Sequence, residues 1–174
     1  MSKAVHLFSG LGSSLLPGLS YGTRTLEAYI DRLGFADSEH HVWNQWKPVA
    51  ERLIRDKPKK IVLIGHSNGT IATNEIANRL RLAGVPVSLV VAIDPTAGSF
   101  PALGYNVNEA LEFWASSGFP AIARRLTRNR SGALHFNGFH GIHRLYHIKA
   151  GHVPCASHPD VQRLTIQAVK AVLQ

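Results

Sequence analysis

A short glycine-bounded motif, set between an apolar run and an amphipathic one, constrains this chain more than any other feature. Positions 65–69 read Gly-His-Ser-Asn-Gly, with Ser67 at the centre. The run Ile-Val-Leu-Ile at 61–64 leads directly into it, and residues 70–82 follow with apolar side chains at a spacing of four. An unbroken apolar run is typical of a strand buried on both faces, and a spacing of four is typical of a helix. The sequence therefore predicts a strand, a sharp turn and a helix in that order; the alternative is a glycine turn with an incidental serine.

The rest of the chain repeats this alternation of apolar runs and amphipathic stretches. Strands are predicted at 3–8, 40–43, 61–64, 86–93 and 144–148. Helices are predicted at 25–33, 47–55 and 70–82, and a last helix is predicted to begin after Ser157 as its N-cap. Strands alternating with helices form parallel β-α-β units. We therefore predict one α/β domain over residues 1–174, with a short, open, mostly parallel sheet of about five strands and helices on both faces.

Residues 97–142 interrupt this rhythm. Two short helices are predicted there, near 108–115 and 120–126, followed by a loop rich in Gly and His. The segment leaves from the carboxyl end of a strand, the edge where open α/β sheets bind ligands, so we predict that it caps the motif. A cap would bring Phe113 or Trp114 to the serine. The alternative is a segment that packs on the far edge of the sheet.

The serine of the motif is a candidate nucleophile, but a serine hydroxyl is weak until a base takes its proton. Among the ten histidines, His152 follows the predicted strand at 144–148 and precedes the last helix. It is therefore expected at the same sheet edge as Ser67. His158, near the start of the last helix, is the alternative base.

An acid that orients the base is also expected. Asp94 directly follows the predicted strand at 86–93 and lies between Ser67 and His152 in sequence. Its carboxylate suits the role, although an Asp-Pro turn can also hold such a residue as a cap.

Negative charge that develops near the serine needs two backbone N–H donors. Asn68, directly after the serine, is one candidate. The other is expected in the loop after the first strand, where Leu11 is preferred and Gly12 is the alternative.

Together these residues resemble the α/β-hydrolase superfamily, and in particular its compact esterase, thioesterase and lipase-like members. The segment Phe-Ser-Gly-Leu at 8–11, the motif at 65–69, Asp94 and the pair Gly-His at 151–152 follow the family's order across nearly the whole chain. The resemblance implies hydrolysis of an ester or thioester through an acyl-enzyme, without a cofactor. It also implies Ser67 as nucleophile, His152 as base and Asp94 as acid, with oxyanion donors at Asn68 and Leu11.

Two departures from the family pattern stand out. Ser9-Gly10 occupies the first loop, where the family often has His-Gly. The acid also follows an earlier strand than in many members, a placement similar to that in thioesterase domains and some compact lipases.

The charge of the chain is +8 and unevenly distributed. No acidic residue occurs between Glu112 and Asp160, a segment that holds Arg124, Arg125, Arg128, Arg130, Arg144 and Lys149. Such a segment is typical of a solvated basic face, or it contacts an anionic substrate or an acidic partner. An inactive hydrolase fold that binds an acidic partner is therefore the alternative function. Nucleic-acid binding is not expected, because no aromatic residues are clearly interleaved with the basic ones.

The remaining signals exclude several classes of protein. The single cysteine, Cys155, rules out an internal disulfide and suits a reducing compartment. No run approaches the roughly 18 apolar residues of a membrane helix. A cytoplasmic protein with a small-molecule acyl substrate is expected. His135, His140, His143 and His147 lack a neighbouring carboxylate or cysteine that would complete a zinc site, so no metal is expected.

Overall fold

A computed structural model of the chain describes residues 2–10, 21–34, 36–96, 101–118, 121–122 and 133–174. Within these residues, six strands form one parallel sheet in the order β2-β1-β3-β4-β5-β6. The strands are β1 (Lys3–Ser9), β2 (Ser38–Val42), β3 (Lys60–His66), β4 (Leu89–Ile93), β5 (Glu109–Ala115) and β6 (Ile142–Ile148). The helices are α1 (Tyr21–Arg32), α2 (Trp46–Asp56), α3 (Gly69–Leu82), α4 (His152–Cys155) and α5 (Pro159–Leu173). None of them combines the length and apolar character that a membrane-spanning helix requires.

Both faces of the sheet are covered by helices, and β3 shows why its sequence is uniformly apolar. Val62 and Ile64 pack into the core layer that α1 and α5 close. Ile61 and Leu63 point the other way, into the layer that α2 and α3 close. All four side chains are fully buried, because successive residues of a strand face opposite sides of the sheet. The predicted α/β class, with an open parallel sheet between helices, is confirmed.

The prediction of a short helix at 108–115 is wrong. Residues Glu109–Ala115 form the strand β5 instead, and this strand brings the sheet to six strands, where about five were predicted. Ala110 packs into the α2 and α3 layer, whereas its neighbour Leu111 packs into the α1 and α5 layer. Neighbours that face opposite layers follow the strand period of two, and both layers are apolar here. Phe113 is fully buried and stacks on Tyr146 of β6, with ring centroids 5.3 Å apart.

The predicted cap over 97–142 therefore needs correction at Glu109–Ala115, which belongs to the sheet. The side chain of Trp114 is mostly buried and donates from Nε1 to Glu112, 2.8 Å away. The predicted helix at 120–126 lies mostly outside the described residues, as do Phe100 and the four arginines Arg124, Arg125, Arg128 and Arg130. A cap made by those parts of the segment stays a prediction.

The N-cap of the last helix lies one residue later than predicted. His158 is the N-cap of α5, and its Nδ1 accepts from the backbone N–H of Asp160 at 3.3 Å. Ser157 instead donates from Oγ to the carbonyl of Pro154 at 3.1 Å. Pro159 then occupies the first helical turn, where its missing N–H costs nothing.

Candidate active site

Ser67 lies in a strained turn between β3 and α3. Its φ is +58°, in the left-handed region that residues with a side chain seldom adopt. The turn is held on both sides: the N–H of Ser67 donates to the carbonyl of Ile93 at 3.0 Å, and its carbonyl accepts from the N–H of Thr70 at 3.0 Å. Such strain persists only where the surroundings enforce it, and it clusters at functional sites. The predicted strand, turn and helix are thus present around this serine.

The two glycines of the motif permit close packing that no other residue could make. A Cβ on Gly65 would lie 2.5 Å from the carbonyl oxygen of Gly69. A Cβ on Gly69 would lie 2.0 Å from the carbonyl oxygen of Phe8 in β1. The start of α3 therefore runs directly against both β3 and β1. This contact fixes the position of the serine between them.

His152 is the histidine that the structure brings to the serine. Its Nε2 lies 2.9 Å from Oγ of Ser67, and its Nδ1 lies 2.6 Å from Oδ2 of Asp94. A carboxylate only accepts hydrogen bonds, so it favours the tautomer with the proton on Nδ1. Nε2 is then the acceptor for the serine hydroxyl. Gly118, with φ +95°, packs against the start of His152: a Cβ there would lie 3.1 Å from Cβ of His152.

Asp94 directly follows β4 and is fully buried. Its backbone is also left-handed, with φ +43°, and its N–H donates to the carbonyl of Phe113 at 2.7 Å. Oδ1 accepts from the N–H of Ala115 at 2.9 Å, which leaves Oδ2 directed at His152. The unforeseen strand β5 therefore supplies the group that orients this carboxylate. Hydrogen bonds on both oxygens compensate the burial of its charge.

The alternative base, His158, is engaged elsewhere. Its Nδ1 caps α5 and lies 3.9 Å from Oδ2 of Asp160. Of the two candidate bases that the sequence left open, His152 is therefore the one that lies beside Ser67.

His66 belongs to the site, although sequence reasoning gave it no part. Its Nε2 lies 3.0 Å from the carbonyl oxygen of His152, and the two rings are 5.1 Å apart. Burial and, to a lesser degree, the neighbouring His152 lower the pKa of His66 to about 4. The ring is therefore neutral at pH 7 and donates its Nε2 proton to the carbonyl. Its position directly before Ser67, at the end of a buried strand, was the signal available in the sequence.

Of the two predicted oxyanion donors, Asn68 is among the described residues and Leu11 is not. Asn68 is the N-cap of α3, and its Oδ1 accepts from Oγ1 of Thr96 at 2.7 Å. Leu11 and Gly12 lie outside the described residues. Gly10, directly before them, approaches the serine closely, since a Cβ there would lie 2.9 Å from Oγ of Ser67. Gly10, at the start of the loop after β1, is therefore in close contact with Ser67.

Two of the four histidines between 135 and 147 make other contacts. Nε2 of His143 lies 3.0 Å from Oε2 of Glu112, and the ring of His147 meets Trp114 edge-on. In the described part of the chain, the one set of three metal-ligating groups within reach of a common ion is His6, Glu39 and His41. Sequence reasoning did not single out that set.

Searches of protein-family models and of curated protein sequences give no match to the chain. Solved structures do match over nearly its whole length. A protein from Agrobacterium vitis S4 described as a hydrolase is 12% identical, with a TM-score of 0.64, and covers 99% of this chain and 88% of its own. A thermostable esterase from Pseudomonas putida ECU1011 is 14% identical, with a TM-score of 0.57, covering 99% and 75%.

The thioesterase RedJ of the prodiginine biosynthetic pathway in Streptomyces coelicolor is similar to the same extent. It is 14% identical, with a TM-score of 0.55, and covers 97% of this chain and 89% of its own. At such low identity the likeness concerns the fold alone. With its parallel sheet, its helices on both faces and its serine turn after β3, this chain has the fold of the α/β-hydrolase superfamily.

Proposed function

We propose that this protein is a serine hydrolase that cleaves an ester or thioester bond through an acyl-enzyme formed on Ser67. One observation carries the proposal: an unbroken line of hydrogen bonds joins Oγ of Ser67, the ring of His152 and the carboxylate of Asp94, at 2.9 and 2.6 Å. Nucleophile, base and orienting acid in mutual contact are the arrangement that this chemistry requires.

In the acylation step, Oγ of Ser67 attacks the carbonyl carbon of the substrate. Its proton passes to Nε2 of His152, and the buried carboxylate of Asp94 stabilises the imidazolium that forms. When the tetrahedral intermediate collapses, the bond to the leaving group breaks. His152 returns the proton to the departing alcohol or thiol, so the acyl group stays on Ser67.

Deacylation repeats these steps with water as the nucleophile. His152 takes a proton from the water, which attacks the acyl carbon, and then protonates Oγ of Ser67 as the acid product leaves. The oxyanion of both intermediates is assigned to the backbone N–H groups of Asn68 and Leu11. The first of these lies at the start of α3, where N–H groups have no partner within the helix. The scheme needs no cofactor.

The choice of an acyl bond is supported by the proteins of similar fold, two of which are described as an esterase and a thioesterase. The burial of Ser67 and Asp94 supports the proposed mechanism as well. Asp94 is fully buried and Ser67 is 7% exposed, so little water screens the charges that develop during the reaction. The small-molecule acyl substrate and the cytoplasmic location stay predictions.

A fluorophosphonate probe and a short-chain p-nitrophenyl ester test the proposal together. The wild-type protein should be labelled on the peptide that contains Ser67 and should turn the ester over. Ser67→Ala should lose the label and at least about a thousandfold in kcat/KM. Ser38→Ala is the matched control, because Ser38 lies at the opposite, amino end of the strands, where its Oγ donates to Asp31.

Equal turnover by wild type and Ser67→Ala would contradict the proposal for that substrate. A wild-type protein that neither labels nor turns over any of a panel of esters, thioesters and amides would favour the inactive binding fold instead. For a wild-type protein that is active, the relative rates on esters and thioesters decide between the two acyl classes.

A further inference from the structure

The pairing of β1 with β2 brings together three side chains that can bind a metal ion. In this parallel ladder His6 lies opposite Glu39, and Phe8 lies opposite His41. Paired residues of adjacent strands point to the same face, and so do residues two apart along a strand. His6, Glu39 and His41 therefore converge on the face that α2 covers.

The distances among their ligand atoms suit a single small ion. Nδ1 of His6 lies 3.2 Å from Nε2 of His41, which in turn lies 3.6 Å from Oε2 of Glu39. All three atoms fall within 4.8 Å of one another. Tetrahedral zinc with bonds of about 2.0–2.1 Å to its ligands requires neighbouring ligand atoms about 3.4 Å apart. The two distances of 3.2 and 3.6 Å bracket that spacing, so little movement is needed for an ion to enter.

The surroundings hold these ligands in place. His6 is buried, and the ring of His41 stacks on Phe8 with centroids 5.1 Å apart. Oε2 of Glu39 accepts from the guanidinium of Arg52 at 2.5 Å. A carboxylate oxygen has two lone pairs, so Glu39 can accept from Arg52 and still face an ion. Ligands oriented by a further hydrogen bond of this kind are the usual pattern in metal sites.

A cavity of about 330 Å³ is lined by two of the three residues, His6 and Glu39, and gives an ion a route to the site. Its lining includes His6, Glu39 and Arg52, together with the charged residues Lys3, Asp37 and Asp56. Zinc sites with three protein ligands keep a fourth position for water or another small ligand. The cavity offers space for such a ligand.

We propose that His6, Glu39 and His41 form a binding site for a divalent transition-metal ion of the zinc class, with its fourth position open to this cavity. None of the three residues belongs to the triad, so the proposal is independent of the proposed hydrolase activity. A bound ion would tie the edge strand β2 to β1 and, through Arg52, to α2. The competing explanation is that the two imidazoles only share a hydrogen bond.

Titration of the metal-free full-length protein with Zn²⁺ and Co²⁺ tests the proposal. Calorimetry should show one ion bound per chain, and bound Co²⁺ should develop the intense visible absorption of a four-coordinate site. His41→Gln and Glu39→Gln should each weaken binding by about tenfold or more. Glu39 is exposed enough for its amide variant to fold normally, so a loss of binding there cannot be ascribed to misfolding.

Two controls keep the result specific. His147→Gln alters an exposed histidine on β6, at the opposite edge of the sheet, and should bind the ion as the wild type does. Ser67→Ala should also bind it unchanged, whatever the outcome for ester hydrolysis. Absence of stoichiometric binding, or binding that survives both His41→Gln and Glu39→Gln, would overturn the proposal in favour of the hydrogen-bonded pair. Equal loss in His147→Gln would overturn it as well, since the ion would then bind elsewhere.

Discussion

Oδ2 of Asp94 lies 2.6 Å from Nδ1 of His152, while Oδ1 of the same carboxylate accepts from the N–H of Ala115. In Asp94→Asn the amide oxygen can keep the bond to Ala115, and its NH₂ group then faces His152. The ring should adopt the opposite tautomer, with the proton on Nε2, and lose its ability to take the proton of Ser67. We expect kcat to fall by about 10³–10⁴ with little loss of stability, measured by ester kinetics and thermal unfolding. Asp160→Asn, on the exposed first turn of α5, should retain full activity.

The close approach of Gly10 to the nucleophile predicts a selective loss of activity in Gly10→Ala. The added Cβ would lie 2.7 Å from Cβ and 2.9 Å from Oγ of Ser67, so the serine must leave its position. We expect kcat/KM to fall by at least about 100-fold, because small displacements of reacting groups cost that much. Gly151→Ala is the control beside His152, since its Cβ would meet nothing closer than 3.6 Å. Similar activity in both variants would contradict the prediction.

The lowered pKa of His66 predicts how stability depends on pH. The folded protein keeps this ring neutral down to about pH 4, whereas in the unfolded chain it takes up a proton near pH 6.5. The contribution of His66 to the free energy of unfolding is therefore complete above pH 6.5, and it is lost as the pH falls from 6.5 towards 4. One proton corresponds to a slope of about 1.4 kcal/mol per pH unit, or about 3 kcal/mol over that interval.

Urea unfolding at a series of pH values measures this slope. His6 and His40, whose pKa values burial also lowers to about 4, should act in the same direction. His66→Gln should reduce the slope of unfolding free energy against pH by the amount that one proton contributes, about 1.4 kcal/mol per pH unit. Parallel curves for the two proteins would show that His66 does not titrate in this way.

The buried carboxylate of Glu112 predicts a large loss of stability on truncation. Its Oε1 accepts from Nε1 of Trp114 and from the N–H of Leu134, both at 2.8 Å, and its Oε2 lies 3.0 Å from Nε2 of His143. Glu112→Ala leaves these donors without their acceptor, so we expect a loss of about 3 kcal/mol in the free energy of unfolding. Glu109→Ala, on the same strand, removes only a partly exposed pair with Arg144 and should cost about 1 kcal/mol or less. Equal losses would contradict this difference.

The basic segment between Glu112 and Asp160 predicts a salt effect if it faces an anionic substrate. The value of kcat/KM for a negatively charged ester should then fall as salt rises, because a Debye length of about 10 Å at 0.1 M screens exposed charges. A neutral ester of the same acyl chain is the control. Identical salt profiles for the two esters would remove the anionic preference.

The positions of Ser67 and Asp94 could be predicted from the sequence because each directly follows a strand with a strong local pattern. Ser67 and Asp94 follow unbroken apolar runs, and such runs have few alternatives to a buried strand. Since the strands are parallel, their carboxyl ends share one edge of the sheet. Predicting His152 at this edge required only the further expectation that the strand before it belongs to the same sheet.

β5 could not be predicted in the same way. Its residues Glu109–Ala115 include Ala, Leu and Glu, which favour helices locally, and an acidic residue in the middle argues against a buried strand. Packing between β4 and β6 overrides that preference, and partners distant in sequence satisfy Glu112. The pair His6 and His41 was missed for a related reason: its contact depends on the register of β1 on β2, which no local pattern specifies.

A backbone hydrogen bond, from the N–H of Ser67 to the carbonyl of Ile93, links the ends of the two strands that precede Ser67 and Asp94. The separation of these residues is thereby fixed by the spacing of neighbouring strands, about 4.8 Å, to which no loop contributes. Loops that do not contact Ser67, Asp94 or His152 can lengthen, shorten or change sequence while Ser67 and Asp94 keep their separation. Descendants of this chain could therefore acquire new substrates by loop variation alone, and laboratory evolution of specificity has the same freedom.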